Sequence, residues 1–298
     1  MDARQKGFLL TALGVLIISP DALLLRLIDI PPEQLVLWRG LLNIIGFWLI
    51  VVARYRRHWF RAYLACGKTG LGCALLFTFS TLGFVLGNHF TKAGNVLVIL
   101  ASSPLIAALL SRVFLGERLP LHTWLAIIAC LFGISLIVLD DAGSGSTTGN
   151  LLALMAAVGL AGNLTLARSK PGTDMSPMLA LSGLFTFLLT FAWSGRVMLP
   201  GAVDMGWLIL LCLILLPIGF TLIQRGPLYL PSAEVSLLML LETVFGTLLV
   251  WLFLSERPGN LGLLGGAIVL LAMVVKSAID RRKQRQQVRQ FQTPETSC

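Results

Sequence analysis

Ten apolar stretches, joined mostly by short connectors, run through nearly the whole chain. They cover residues 7–28, 34–53, 69–86, 95–115, 121–139, 149–167, 178–199, 205–223, 232–254 and 261–279. About 20 apolar residues in an α-helix cover the ~30 Å hydrocarbon core of a bilayer. Only 12% of the 298 residues are charged, against about 25% in a soluble domain. A soluble fold would have to hide more apolar surface than a core can hold. The expected fold is therefore an all-α membrane protein with ten transmembrane helices.

The basic residues fix an orientation, because Lys and Arg concentrate in cytoplasmic loops. With the N-terminus inside, eighteen of the 23 Lys and Arg fall on the inner side. Four fall outside (Arg26, Lys92, Arg196 and Arg257), and Arg39 lies within the second stretch. This predicts ten crossings with both termini inside, since an odd number would place the basic tail on the wrong face. The net charge of +9 is thereby accounted for without a nucleic-acid partner. The first stretch lacks a small-residue cleavage site and runs into the acidic loop Asp29–Glu33, so it reads as a retained anchor. Cys66, Cys73, Cys130, Cys212 and Cys298 form no CxxC pair and read as small apolar fillers.

The chain also repeats itself. Shifted by 139 residues, the third to fifth stretches fall on the eighth to tenth without a gap. Cys73 meets Cys212, Gly87 meets Gly226, and Phe90 meets Tyr229. Phe114, Leu115, Glu117 and Arg118 meet Phe253, Leu254, Glu256 and Arg257. At a shift of 142, the first stretch falls on the sixth, and Asp21 meets Asn163. The expected organisation is a first five-helix unit at 1–142, a linker at 143–148, a second unit at 149–279 and a basic cytoplasmic tail at 280–298. Five crossings per unit turn the second upside down. Inverted repeats of this kind build alternating-access carriers, with the site near the bilayer midplane.

Polar groups inside the apolar stretches are the candidate functional residues. An ionisable group at the centre of a membrane helix costs roughly 2.5–3.5 kcal/mol and is tolerated where it meets a partner or a wet cavity. Glu242 lies mid-helix in the ninth stretch, and Glu234 lies one turn in from its cytoplasmic end. Each suits a proton acceptor, a counter-charge for a cationic substrate, or a hydrogen-bonded tie between helices. Asn95 is the repeat mate of Glu234. Asp21 follows Pro20, which denies the Leu16 carbonyl its helical donor. Asp21 is either a cavity wall or a solvated group near the outer loop, and Asn163 is its mate. Arg39 could hold a substrate carboxylate in its guanidinium fork; pairing with Asp21, Asp29 or Glu33 is favoured. Pro104 and Pro217 are expected to kink the fourth and eighth helices.

An enzyme is not expected. HExxH, GxSxG and GxxxxGK[ST] are all absent, and there are only three histidines. Neither cofactor nor metal is called for. The rival classes are a membrane receptor or scaffold that moves nothing and a channel-like facilitator.

Three segments carry a family likeness: WRGLL at 38–42, SSPLIAALLSRVFLGERL at 102–119 and GPLYLPSAEVSLLMLLETVFGTLLVWLFLSERP at 226–258. Through them the chain resembles the EamA-type branch of the drug/metabolite transporter superfamily. The resemblance implies a secondary transporter, in the export direction, of small organic metabolites such as amino acids, amines or drugs. It implies a place in a plasma membrane such as the bacterial inner membrane; the proton gradient is the expected energy source, with Glu242 or Glu234 as the proton site. The partners expected are a small-molecule substrate, protons and the lipid bilayer, for a monomer or homodimer. The site is expected among the first, third, fourth, sixth, eighth and ninth helices. Thr243 departs from the family pattern, in which Pro often follows the Glu, and leaves a kink in the ninth helix open.

Overall fold

The computed structural model describes residues 3–115, 121–140, 147–170, 172–230, 235, 238–254 and 260–292. Among these, the regular structure is helical throughout, as a chain in lipid requires: every buried backbone group must be satisfied within its own segment. The helices are α1 (Ala3–Ile18), α2 (Asp21–Leu27), α3 (Pro32–Tyr55), α4 (Trp59–Phe90), α5 (Ala93–Leu100), α6 (Ser103–Leu115) and α7 (Leu121–Asp140). They continue with α8 (Thr147–Arg168), α9 (Met178–Ser194), α10 (Ala202–Leu208), α11 (Leu216–Gln224), α12 (Leu240–Leu254) and α13 (Asn260–Gln292).

By length and apolarity, five helical stretches are long enough to cross a membrane: 5–27, 32–90, 93–114, 147–168 and 202–228. Shorter apolar helices cover 124–136, 178–194, 241–253 and 260–272. The 59-residue stretch is two helices in one, because α3 ends at Tyr55 and α4 is kinked at Gly67. Gly67 has φ 57°, a conformation that a side chain would strain.

Several of the predicted helices are broken. The first stops at Ile18 and restarts at Asp21, after Pro20. The fourth breaks at Ala101–Ser102, and Pro104 sits in the first turn of the new helix, where its missing N–H is harmless. The eighth passes through a π-helical segment, Ile209–Leu215, just ahead of Pro217. The ninth has a turn at Met239 before α12 begins, without any proline. Met239 is the repeat mate of Leu100, the last residue of α5, so the two breaks are equivalent positions of the two units.

Two expectations are corrected. The seventh helix ends at Ser194, not Leu199, because Gly195 turns left-handed (φ 64°) and caps it. The tenth does not stop at Ile279 but continues to Gln292, through much of the segment read as a tail. Glu117, Arg118, Glu256 and Arg257 lie outside the described residues.

The helices pair across the two units. α4 packs on α8, α3 on α9, α1 on α11, α5 on α12 and α7 on α13. Exchanging the units maps this set of pairs onto itself. The exchange extends to single residues. A Cβ on Gly14 would lie 2.6 Å from the Gly219 carbonyl, and one on Gly219 would lie 2.8 Å from the Gly14 carbonyl. Their repeat mates, Ala156 and Ser80, meet in the same way, the Ser80 hydroxyl donating to the Ala156 carbonyl at 3.0 Å. Cys130 touches its own mate, its thiol lying 3.8 Å from the Val269 carbonyl. Gly40 and Gly183 meet reciprocally, each Cβ position 3.0 Å from the other's carbonyl.

Candidate functional site

Three of the ionisable residues singled out from the sequence come together. Pro20 ends α1, so the chain restarts with Asp21 as the first residue of α2. Asp21 is only 2% exposed, so the solvated reading does not hold. Arg39 projects from α3 and closes a bidentate pair on it, Nη1 to Oδ1 and Nη2 to Oδ2, each 2.7 Å. The Phe84 ring lies 5.8 Å from the guanidinium carbon. Arg39 is 3% exposed, so both partners of this charge pair are buried. Of the other partners considered, Asp29 is exposed and Glu33 half-buried; the Asp29 backbone N–H bonds the Asp204 carboxylate at 3.1 Å.

Glu242 faces the same space from the first turn of α12. Its backbone N–H reaches the Met239 carbonyl at 3.0 Å, closing the tight turn at the break. The side chain is 3% exposed, and Oε2 has no hydrogen-bond partner among the described residues. The next residue, Thr243, donates its hydroxyl to the Leu97 carbonyl of α5 at 3.1 Å. That bond ties the two broken helices together beside the acid.

Asp21, Arg39 and Glu242 line one cavity of about 330 Å³ with Phe77, Ser80, Thr81, Phe84, Leu100, Leu160, Phe220 and Met239. Phe77 and Phe220 meet edge to face, 4.9 Å apart. The two residues at the equivalent breaks, Leu100 and Met239, both contribute to the wall. All six predicted helices supply lining residues, and the second helix joins them through Arg39.

The remaining candidates lie elsewhere. Asn163 is buried one turn beyond Leu160, in a reciprocal amide pair with Gln224: Nδ2 to Oε1 at 2.9 Å and Nε2 to Oδ1 at 3.1 Å. Asn95, buried in the first turn of α5, does not line the cavity. Glu234 lies outside the described residues.

A second cavity, about 500 Å³, opens at the ends of α8 and α11 and is lined by Ala167, Arg168, Lys170, Thr173, Gln224 and Pro227 among others. Along α8, Leu160 borders the first cavity and Ala167 the second. Along α11, Phe220 borders the first and Gln224 the second. The Asn163–Gln224 pair therefore joins the two helices at the level between the cavities. Near the second cavity, Asp174 gathers Arg225 (3.2 Å), Arg54 (3.6 Å) and the Tyr55 hydroxyl (3.1 Å), joining three segments at the basic face.

Sequence reasoning did not find Gln224, Asp174 or the aromatic lining. An amide or a phenylalanine in an apolar run raises no alarm, and Asp174 sits in a connector where a carboxylate is unremarkable. No group of three His, Cys, Asp or Glu able to hold a metal occurs among the described residues.

Comparisons with known proteins agree with this architecture. A family model described as "EamA-like transporter family" matches twice, at residues 5–139 and 147–277. The "Uncharacterized transporter YdfC" of Bacillus subtilis (strain 168) is 25% identical over 219 residues, 65% of this chain and 68% of that protein. A solved structure, titled only "Crystal structure of protein", superposes with a TM-score of 0.66 at 17% identity, over 94% of this chain and 99% of that one. At that identity the likeness concerns the fold alone.

Proposed function

The chain belongs to the EamA-like transporter family, and from that premise we propose a secondary transporter that exports small organic molecules by alternating access. It is an integral membrane protein; the plasma membrane, as in a bacterial inner membrane, is the proposed location. Two five-helix units, inverted with respect to each other, make ten crossings with both termini on the cytoplasmic face. The self-mapping helix pairs support the inversion. Two units that each cross the membrane five times can be related by a twofold axis only if that axis lies in the membrane plane.

The observation that carries the reading is the central cavity. A buried ion pair and a buried carboxylate with an unpartnered oxygen face one space where both units contribute walls. A scaffold has no use for three ionisable groups at that depth, each of them costly in lipid. In this reading Glu242 carries the coupling proton, and transport is driven by the proton gradient. The narrowness of the space between these side chains fits an occluded form that opens by rocking of the units.

The test uses purified protein in proteoliposomes loaded with a pH-sensitive dye. Amino acids, polyamines and amphipathic drugs are first screened by thermal shift, since a bound ligand raises the melting midpoint by mass action. Compounds that bind are then tested for flux under an imposed pH gradient. Saturable, gradient-driven flux that Glu242→Gln abolishes is the expected result. Binding without flux would mark a receptor, and non-saturating flux a channel. Full gradient-driven flux in Glu242→Gln would remove the proton assignment.

A further inference from the structure

We infer that the central site accepts an organic monocation with an apolar body, and discriminates against substrates that carry a free carboxylate. This deepens the transporter reading and rests on it for the flux, though not for the binding. The charge inventory of the cavity leads to it. Among the described residues, its charged lining consists of Asp21, Arg39 and Glu242.

The charge of Arg39 is already compensated. Both of its Nη groups are committed to the two oxygens of Asp21 at 2.7 Å, in the fork geometry that makes such pairs strong. The Phe84 ring lies over the guanidinium, whose Nε is buried and unbonded and whose two Nη groups each keep a second N–H. A carboxylate entering the cavity would share one guanidinium with Asp21 and face Glu242 as well, three acids around a single cation.

Glu242 presents the complementary vacancy. Its Oε2 is buried and lacks a donor. With the Asp21–Arg39 pair neutral as a unit, an ionised Glu242 leaves the cavity one negative charge. One ammonium group cancels that charge and supplies the missing donor.

The rest of the wall suits the body of such a molecule. Phe77 and Phe220 present an edge-to-face pair at 4.9 Å, and Leu100, Leu160 and Met239 complete an apolar lining. Aromatic faces also attract cations through their quadrupole.

Four probes of one shape and four charge states test the inference on the full chain in detergent at pH 7. They are 2-phenylethylamine, 2-phenylethanol, L-phenylalanine and 3-phenylpropionate. The amine is expected to raise the unfolding midpoint in a saturable way, with at least tenfold tighter binding than each of the others. In Glu242→Gln that advantage is expected to vanish. Phenylalanine or phenylpropionate binding as tightly as the amine would overturn the inference, as would none of the four binding or an undiminished amine affinity in Glu242→Gln. If that variant fails to fold, the four-probe comparison on the unaltered chain decides alone. Counterflow in proteoliposomes separates this inference from the one beneath it. Saturable exchange of phenylalanine or phenylpropionate in place of the amine would sink the charge selectivity and leave the carrier standing. Tight amine binding without exchange would sink the carrier and leave the site.

Discussion

Asp21 and Arg39 stabilise each other only as a pair, and the chain gives each of them little else. Removing one partner leaves the other buried and uncompensated, which costs about 3–5 kcal/mol, whereas replacing both by apolar residues of similar size is often close to neutral. Asp21→Asn and Arg39→Met are each expected to lower the thermal unfolding midpoint in detergent sharply. Asp21→Leu combined with Arg39→Met is expected to recover most of the loss while remaining inactive in flux. If the double variant is as unstable as the singles, the pair is not the interaction that matters at this position. Thr243 is a milder case. Its hydroxyl bond to the Leu97 carbonyl is 3.1 Å, and that carbonyl also accepts the Ala101 N–H at 3.0 Å. Thr243→Val therefore orphans nothing and should cost about 0.5–1.5 kcal/mol, with Thr243→Ser retaining more of the stability in the same assay. At this scale the sequence exposes what is expensive in lipid. Asp21, Arg39 and Glu242 stand out because a charge in an apolar run needs an explanation. Which acid Arg39 chooses was not legible, because Asp21, Asp29 and Glu33 lie within a short stretch; the break at Pro20 decides it by turning Asp21 into the interior.

The elements of this fold are interrupted where they meet the cavity and close-packed where they cross. The break after α1 follows from a proline, and the π segment of the eighth helix lies just ahead of another. The turn at Met239 has no proline, so composition alone did not place it; its mate, Leu100, ends α5 at the equivalent break. The extension of α13 to Gln292 was also missed, because a polar Arg- and Gln-rich segment has good helix propensity but no apolar period to announce it. The crossings depend on small residues. A Cβ on Gly83 would collide with the Leu152 carbonyl and lie 2.7 Å from the Ala156 N–H, both of them backbone atoms that cannot rotate aside. Gly83→Ala must push α4 from α8, an overpacking cost of about 1–3 kcal/mol. Gly206, with nothing within 4 Å of its Cβ position, is the control. Gly206→Ala in α10 should leave the stability unchanged or raise it by up to about 1 kcal/mol, the helix-propensity difference. Equal midpoints for the two variants, measured side by side in detergent, would mean that the α4–α8 approach is looser than the geometry requires.

At the scale of the whole molecule, the repeat is what the sequence showed most plainly, and the pairing of helices across the units is its physical expression. The identical spacing that sets Cys130 against Val269 in the sequence puts them in contact in space. The repeat is not perfect, and the differences fall at the ends of the cavity. Asp21 finds an arginine, whereas its mate Asn163 finds Gln224, so one end is held by charge and the other by two amide bonds. Such an amide pair is weaker than a buried ion pair and easier to part. It lies between the central cavity and the basic-face cavity, so in the proposed alternating-access cycle it is the contact that opening toward that face would break. Asn163 and Gln224 meet tip to tip, which separates their backbones beyond ordinary disulfide reach, so a short bis-thiosulfonate linker is the appropriate clamp. Asn163→Cys combined with Gln224→Cys should carry normal flux when reduced, lose about tenfold or more once bridged, and regain it with reductant. The buried thiols Cys66, Cys73, Cys130 and Cys212 are poorly placed to compete for the reagent. Undiminished flux in the bridged protein would mean that α8 and α11 do not separate at this level, and the rocking of two units about the central cavity would have to give way to a path that leaves this end shut.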